Sequence, residues 1–246
     1  MVAGHPSLRE YPRFLRLQDM SAAPYMPRDR QFIIKDLLLH VPSVVDLELS
    51  FDTDTILYLA RDTKYPFALR SLRTTPPKEA AFVEFLKTQP QIERIVFYGD
   101  PGEADLYPVP GWYGVASPLE PHILPSLKSV QGNRVNVCFL VPYRPVTSVS
   151  VHLFQEDLGF HKMLAKASAP LERLSECMQL HEAPWETGIV SQCLPSLNFC
   201  RTSLSEYSLH VKAFPPHLDG RSVLACLKAS QSRIEPLFST KVRSLE

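Results

Sequence analysis

YPFALRSLRTTPPKEAAFVEFLKTQPQIERIVFYG (65–99) holds one complete structural unit and the start of the next. A proline precedes a short run in which apolar and polar residues alternate, and such alternation marks a half-buried strand. In the following TPPKEAAFVEFLKTQ, Thr75 suits a helix N-cap and Pro76 the first helical position, while Phe82, Val83 and Leu86 form an apolar stripe. Pro90 then closes the helix and a second alternating run begins. Proline lacks the backbone donor and disfavours helix in the residue before it, so it leaves the chain extended for the next strand.

The same frame recurs in both directions: YPRFLRLQD (11–19), VPSVVDLELS (41–50), LPSLKSVQG (124–132), RPVTSVSVHL (144–153), APLERLSEC (169–177) and LPSLNFCRT (194–202). With the two runs already quoted, they superpose on an apolar-x-x-apolar pattern. Its anchor pairs are Phe14/Leu17, Val44/Leu47, Leu69/Leu72, Ile92/Ile95, Leu127/Val130, Val146/Val149, Leu171/Leu174 and Leu197/Cys200. Between Val44 and Leu197 the mean step is about 25 residues, inside the 20–29 range of leucine-rich repeats. Helical stripes fall between the runs, at Ile33, Ile34, Leu37, Leu38 and Val41 in one, and at Trp185, Ile189, Val190, Cys193 and Leu194 in another. The 23 prolines, nearly twice the usual share of about 5%, include Pro42, Pro66, Pro90, Pro170 and Pro195 as helix stops.

One strand–helix unit cannot bury its own apolar face, so neighbours must stack. The expected fold is α/β, a leucine-rich-repeat solenoid with parallel strands on the concave face and helices on the convex face. Residues 1–246 form a single domain, with clear repeats over 12–204, an irregular loop at 99–121 and degenerate repeats over 205–246. In that last part SLHVKAF (208–214) and RIEPLFS (233–239) read as strands and RSVLACLKAS (221–230) as a helix. A doubly wound sheet would need strands of near-continuous Val and Ile, whereas these alternate. Neither end shows a polar capping unit, as expected of a piece of a longer solenoid.

Composition narrows the function. Lys plus Arg balances Asp plus Glu at 26 each, so no net field draws the chain to nucleic acid or to an anionic membrane. No apolar run reaches the roughly 20 residues of a membrane helix, and the N-terminus lacks a signal-peptide core; an intracellular protein, cytoplasmic or nuclear, is expected. The five cysteines, Cys138, Cys177, Cys193, Cys200 and Cys226, form no C-x-x-C pair, which points to reduced thiols and neither zinc nor disulfides. No nucleophile elbow, metalloprotease motif, phosphate loop or dinucleotide fingerprint occurs, so neither catalysis nor a cofactor is expected. Asp100, Glu103 and Asp105 in GDPGEAD lack the remaining ligands of a calcium loop.

If the anchors point inward, period two places the residues between them on the sheet surface. That surface carries Arg73, Arg94, Tyr98, His152, Arg173 and Arg201, and it suits a polypeptide with an acidic segment, because Arg pairs carboxylates bidentately and Arg and Tyr are frequent binding anchors. The loop at 99–121 adds Trp112 and Tyr113, which either bind a partner or fold back over the apolar flank.

LPSLKSVQGNRVNVCFLVPYRPVTSVSVHLF (124–154) resembles the leucine-rich-repeat portion of the F-box-like proteins of mushroom-forming fungi, in which an LPxLxxVxG strand, a short helix and a VPxRPVxxVxV strand recur in this order. The resemblance implies a substrate-recognition region of a ubiquitin-ligase receptor. Residues 1–28 are too short for an F-box and already contain a strand-like run, so the chain alone is not expected to carry the ligase adaptor and cullin with it. The alternative is a free-standing repeat protein that binds or inhibits another protein.

Overall fold

The computed structural model describes residues 12–19, 26–61, 63–75, 80–98, 118–153, 159–180 and 203–213. It is an α/β fold with one eight-stranded parallel sheet, whose strands follow the order of the chain. The strands are β1 (Phe14–Gln18), β2 (Asp46–Ser50), β3 (Ser71–Thr74), β4 (Arg94–Phe97), β5 (Ser129–Asn133), β6 (Ser148–Leu153), β7 (Arg173–Leu180) and β8 (Glu206–Ala213). The helices are α1 (Arg28–Leu39), α2 (Thr53–Ala60), α3 (Ala80–Lys87), α4 (Arg134–Leu140) and α5 (Gly159–Leu164). The chain divides into two compact units, one made of residues up to 100 with 120–129, the other of 101–119 and the residues from 130 onward.

In the first unit the register aligns Leu15, Leu47, Leu72 and Ile95 in one row and Leu17, Leu49, Thr74 and Phe97 in the next but one. Helices α1 to α3 pack on this apolar face: Leu38, Ile56, Leu59, Phe82 and Phe85 surround a small pocket of about 20 Å³ together with Leu47, Leu49 and Leu72. Tyr65 stacks on Phe67 with ring centroids 5.1 Å apart and meets Phe85 edge-on at 6.1 Å, which stiffens the pocket wall. The first anchor of each pair, Val44, Leu69 and Ile92, is fully buried where the chain enters its strand.

The second unit repeats the scheme. Val149, Leu174 and Tyr207 share a row, and Val137, Leu140 and Leu164 bring α4 and α5 into the core. Arg144 is fully buried here. Its Nη1 donates to the carbonyls of Leu140 (3.0 Å) and Pro142 (2.9 Å), and its Nη2 to that of Leu119 (2.9 Å). A guanidinium thus caps the carbonyl end of α4, where helix geometry leaves acceptors unsatisfied and a cation is favoured. Tyr143, just before it, has a left-handed backbone (φ 65°) held by its N–H bond to the Lys166 carbonyl at 2.7 Å.

Several expectations need correction. Phe14 is no core anchor: it is 54% exposed, and Leu15, two residues before the expected Leu17, aligns with Leu47. Ile33 is 65% exposed, because α1 turns Leu38 inward and leaves Phe32 and Ile33 outside. The Thr75 hydroxyl donates to the Phe51 carbonyl at 2.9 Å; α3 is described from Ala80, and the expected first helical position at Pro76 lies outside the described residues. Helix α2 went unread, although Asp52 announces it by accepting the Thr55 N–H at 2.9 Å as an N-cap. Prolines follow α1 and α3 closely, at Pro42 and Pro90, but α2 and α5 end well before Pro66 and Pro170, where backbone extension at Arg61 does the stopping in α2. Finally, the strand paired with β7 is β8, at 206–213; the run LPSLNFCRT (194–202) expected in that place lies outside the described residues.

Candidate functional site

Strand residues between the buried rows form a second, polar face of the sheet. In the first unit its rows read Phe14, Asp46, Ser71, Arg94 and then Arg16, Glu48, Arg73, Val96. At the centre lies Glu48, whose side chain is only 6% exposed: Arg16 Nε approaches one carboxylate oxygen at 3.0 Å and Arg73 Nη1 the other at 3.7 Å. A carboxylate buried at a sheet surface needs such partners, and cross-strand neighbours supply them from both sides. Arg16 also donates to Gln18 at 3.3 Å, so its side chain lies flat along β1.

Of the arginines expected on this face to pair a partner's carboxylates, one is engaged within the sheet itself. Arg73 is spent largely on Glu48, and its cross-strand neighbour in β4 is Val96, while Arg94 aligns with Ser71. Arg94 remains exposed, and among the described residues no carboxylate pairs with it. Tyr98 follows β4 and keeps the sheet bond from its N–H to the Thr74 carbonyl (2.9 Å), leaving its ring 36% exposed. Among the described residues the exposed features of the face are the Arg94 guanidinium and two rings, Phe14 and Tyr98, with an Arg–Glu–Arg cluster of net charge +1 between the edges.

In the second unit the polar rows read Ser148, Arg173, Glu206; then Ser150, Ser175, Ser208; then His152, Cys177, His210. Arg173 is exposed and its register neighbour in β8 is the acidic Glu206. Arg201, Trp112 and Tyr113 lie outside the described residues.

One polar group escaped the sequence reading. Glu176 is fully buried on the core side of β7 and accepts a hydrogen bond from the Tyr207 hydroxyl at 2.8 Å. Period two counted from Leu174 would have flagged it, since it shares that residue's phase. Among residues whose side chains are described, no three His, Cys, Asp or Glu cluster as a metal site. No helix among the described residues is long and apolar enough to cross a membrane. Comparison with protein-family models, with curated proteins and with solved structures finds no match.

Proposed function

We propose that this chain is a leucine-rich-repeat solenoid and a non-catalytic scaffold whose polar sheet face holds another polypeptide, as the substrate-recognition region of an F-box-like ubiquitin-ligase receptor. The observation that carries the scaffold reading is the polar face of the first unit: Arg94, which no carboxylate among the described residues pairs with, and exposed Phe14 and Tyr98 sit on strands whose opposite face packs against the helices. Aromatic rings have few rotamers to lose on binding, and a guanidinium can pair a carboxylate through two parallel hydrogen bonds, which suits both as anchors. A partner segment that places a carboxylate on Arg94 and separate apolar side chains against Phe14 and Tyr98 matches this surface. The step of about 25 residues between Leu47 and Leu72, and again between Val149 and Leu174, supports the repeat reading. The ligase role rests on the resemblance of residues 124–154.

The test is a pull-down from cell extract with the full chain and three variants: R94E, Y98A and the pair W112A/Y113A. R94E and Y98A are expected to lose partners retained by the wild type while keeping its thermal stability, since exposed substitutions shift stability by about 0.5 kcal/mol or less. If R94E and Y98A keep every partner and W112A/Y113A loses them, the sheet face is not the site. In the ligase reading, ubiquitination of the captured partner falls with R94E. In the free-standing reading, binding is lost and ubiquitination stays constant.

A further inference from the structure

In the register of β1 to β4, Phe14, Asp46, Ser71 and Arg94 fill one row, the first on the polar face of the first unit. Phe14 and Arg94 are exposed at the two ends of this stretch, with Asp46 and Ser71 half-buried between them. Among the described residues neither Asp46 nor Arg94 joins an ion pair. The next row is different in kind: there Arg16 and Arg73 close on Glu48, so that carboxylate is already matched within the sheet. The open charges of the first row are the ones left for a partner to match.

Their order along the row sets a spacing. Neighbouring strands lie about 4.8 Å apart, so Asp46 stands about 5 Å and Arg94 roughly 14 Å from Phe14 across the sheet. An extended peptide crossing the strands advances about 3.3 Å per residue and turns every second side chain toward the sheet. Measured from residue i, residues i+2 and i+4 therefore fall at about 7 and 13 Å. With i on Phe14, i+4 meets Arg94 to within about 1 Å, and i+2 lands between Asp46 and Ser71, where a side chain as long as lysine reaches the Asp46 carboxylate. A helix advances only about 1.5 Å per residue, so its residues i and i+4 lie about 6 Å apart and fall well short of spanning Phe14 and Arg94.

We propose that this row selects an extended segment with an apolar residue, a cation and a carboxylate at positions i, i+2 and i+4, the apolar group on Phe14, the cation at Asp46 and the carboxylate on Arg94. It rests on the reading that the polar face of the first unit holds a polypeptide, and adds the order and spacing of that partner's residues. The row acts against wrong partners as well as for the right one, because exchanging the two charges sets a carboxylate against Asp46 and a cation against Arg94. Both chain directions place the three side chains alike, so order and spacing are what the row reads.

Fluorescence polarisation of labelled peptides on the full-length chain tests it. Two peptides carry Leu-Ala-Lys-Ala-Glu in forward and reverse order between Gly-Ser flanks, and two carry the same residues with Lys and Glu exchanged. At least one of the first pair is expected to bind about tenfold or more tightly than its exchanged counterpart. D46K/R94E inverts that preference, and D46N/R94Q, closer in volume to the wild type, abolishes it, with circular dichroism checking that the fold is kept. Equal binding of the exchanged peptides, a preference that survives D46N/R94Q, or no binding by either of the first pair overturns the proposal. The R94E pull-down separates it from the reading beneath: partners lost with R94E while the peptides show no preference remove the spacing alone, whereas partners retained with R94E remove the face as the binding surface.

Discussion

Leu72→Ala puts the packing of the first unit to a direct test. Leu72 is 1% exposed, sits in the central row between Leu47 and Ile95, and lines the small pocket beneath α2 and α3. Losing three buried carbons costs about 2 kcal/mol at roughly 0.8 kcal/mol per methylene. The space left behind adds to it. A residual cavity of roughly 50–80 Å³ at about 24 cal/mol per Å³ contributes a further 1–2 kcal/mol. The neighbouring walls decide how much of that space survives. Tyr65 stacks on Phe67 and meets Phe85 edge-on, and the new space merges with a pocket of about 20 Å³ already there, so little relaxation into it is available. The expected loss is about 4 kcal/mol, a large share of the 5–15 kcal/mol that typically holds a protein folded. Urea unfolding of L72A and wild type, followed by circular dichroism, measures it, with R94E as the exposed control. A loss below about 1 kcal/mol would refute the reasoning, because no well-packed buried leucine can be truncated so cheaply.

Arg144→Ala strips three buried carbonyls of their donor and should destabilise the chain by about 3 kcal/mol or more, measured in the same urea experiment; a loss under about 1 kcal/mol would mean that the guanidinium does not cap α4. Tyr65 governs alkaline behaviour: burial raises its phenol well above the usual tyrosine range, and its hydroxyl donates to the Leu59 carbonyl at 2.6 Å. A folded-state pKa above the unfolded one means that the neutral phenol's stabilisation is fully present below about pH 10 and is lost as pH rises beyond it. Y65F should therefore be less stable than wild type by about 1 kcal/mol at neutral pH, with the gap closing above about pH 10. Arg144, pushed down to about 10 by burial, acts in the opposite sense over that range, so the difference between the two proteins is the quantity to follow. A gap that stays constant to high pH would show that Tyr65 is not buried as described.

What could be read from the chain alone was the alternation. Val44, Leu47, Leu69, Leu72, Ile92 and Ile95 announce themselves as core, and all six are buried; for Leu47, Leu72 and Ile95 this follows because which side of a strand a residue occupies depends on its own position in a period of two, while Val44, Leu69 and Ile92 are buried just before their strands begin. The polar phase was legible for the same reason, and Arg73, Arg94, Tyr98, His152 and Arg173 all lie on it or at its margin. Pairing across strands was not legible. Whether Arg73 is free or clamped on Glu48 depends on β2 and β3 meeting in one register out of several, and nothing within either strand states it. The start of β1 shows the limit clearly: FLRLQ offers two apolar phases, and only pairing with β2 decides that Leu15 joins the row of Leu47 while Phe14 is left exposed. Likewise Phe14, Asp46, Ser71 and Arg94 are separated by dozens of residues and become neighbours only because four strands align, since register is set by packing and loop geometry between strands and not by the residues within one.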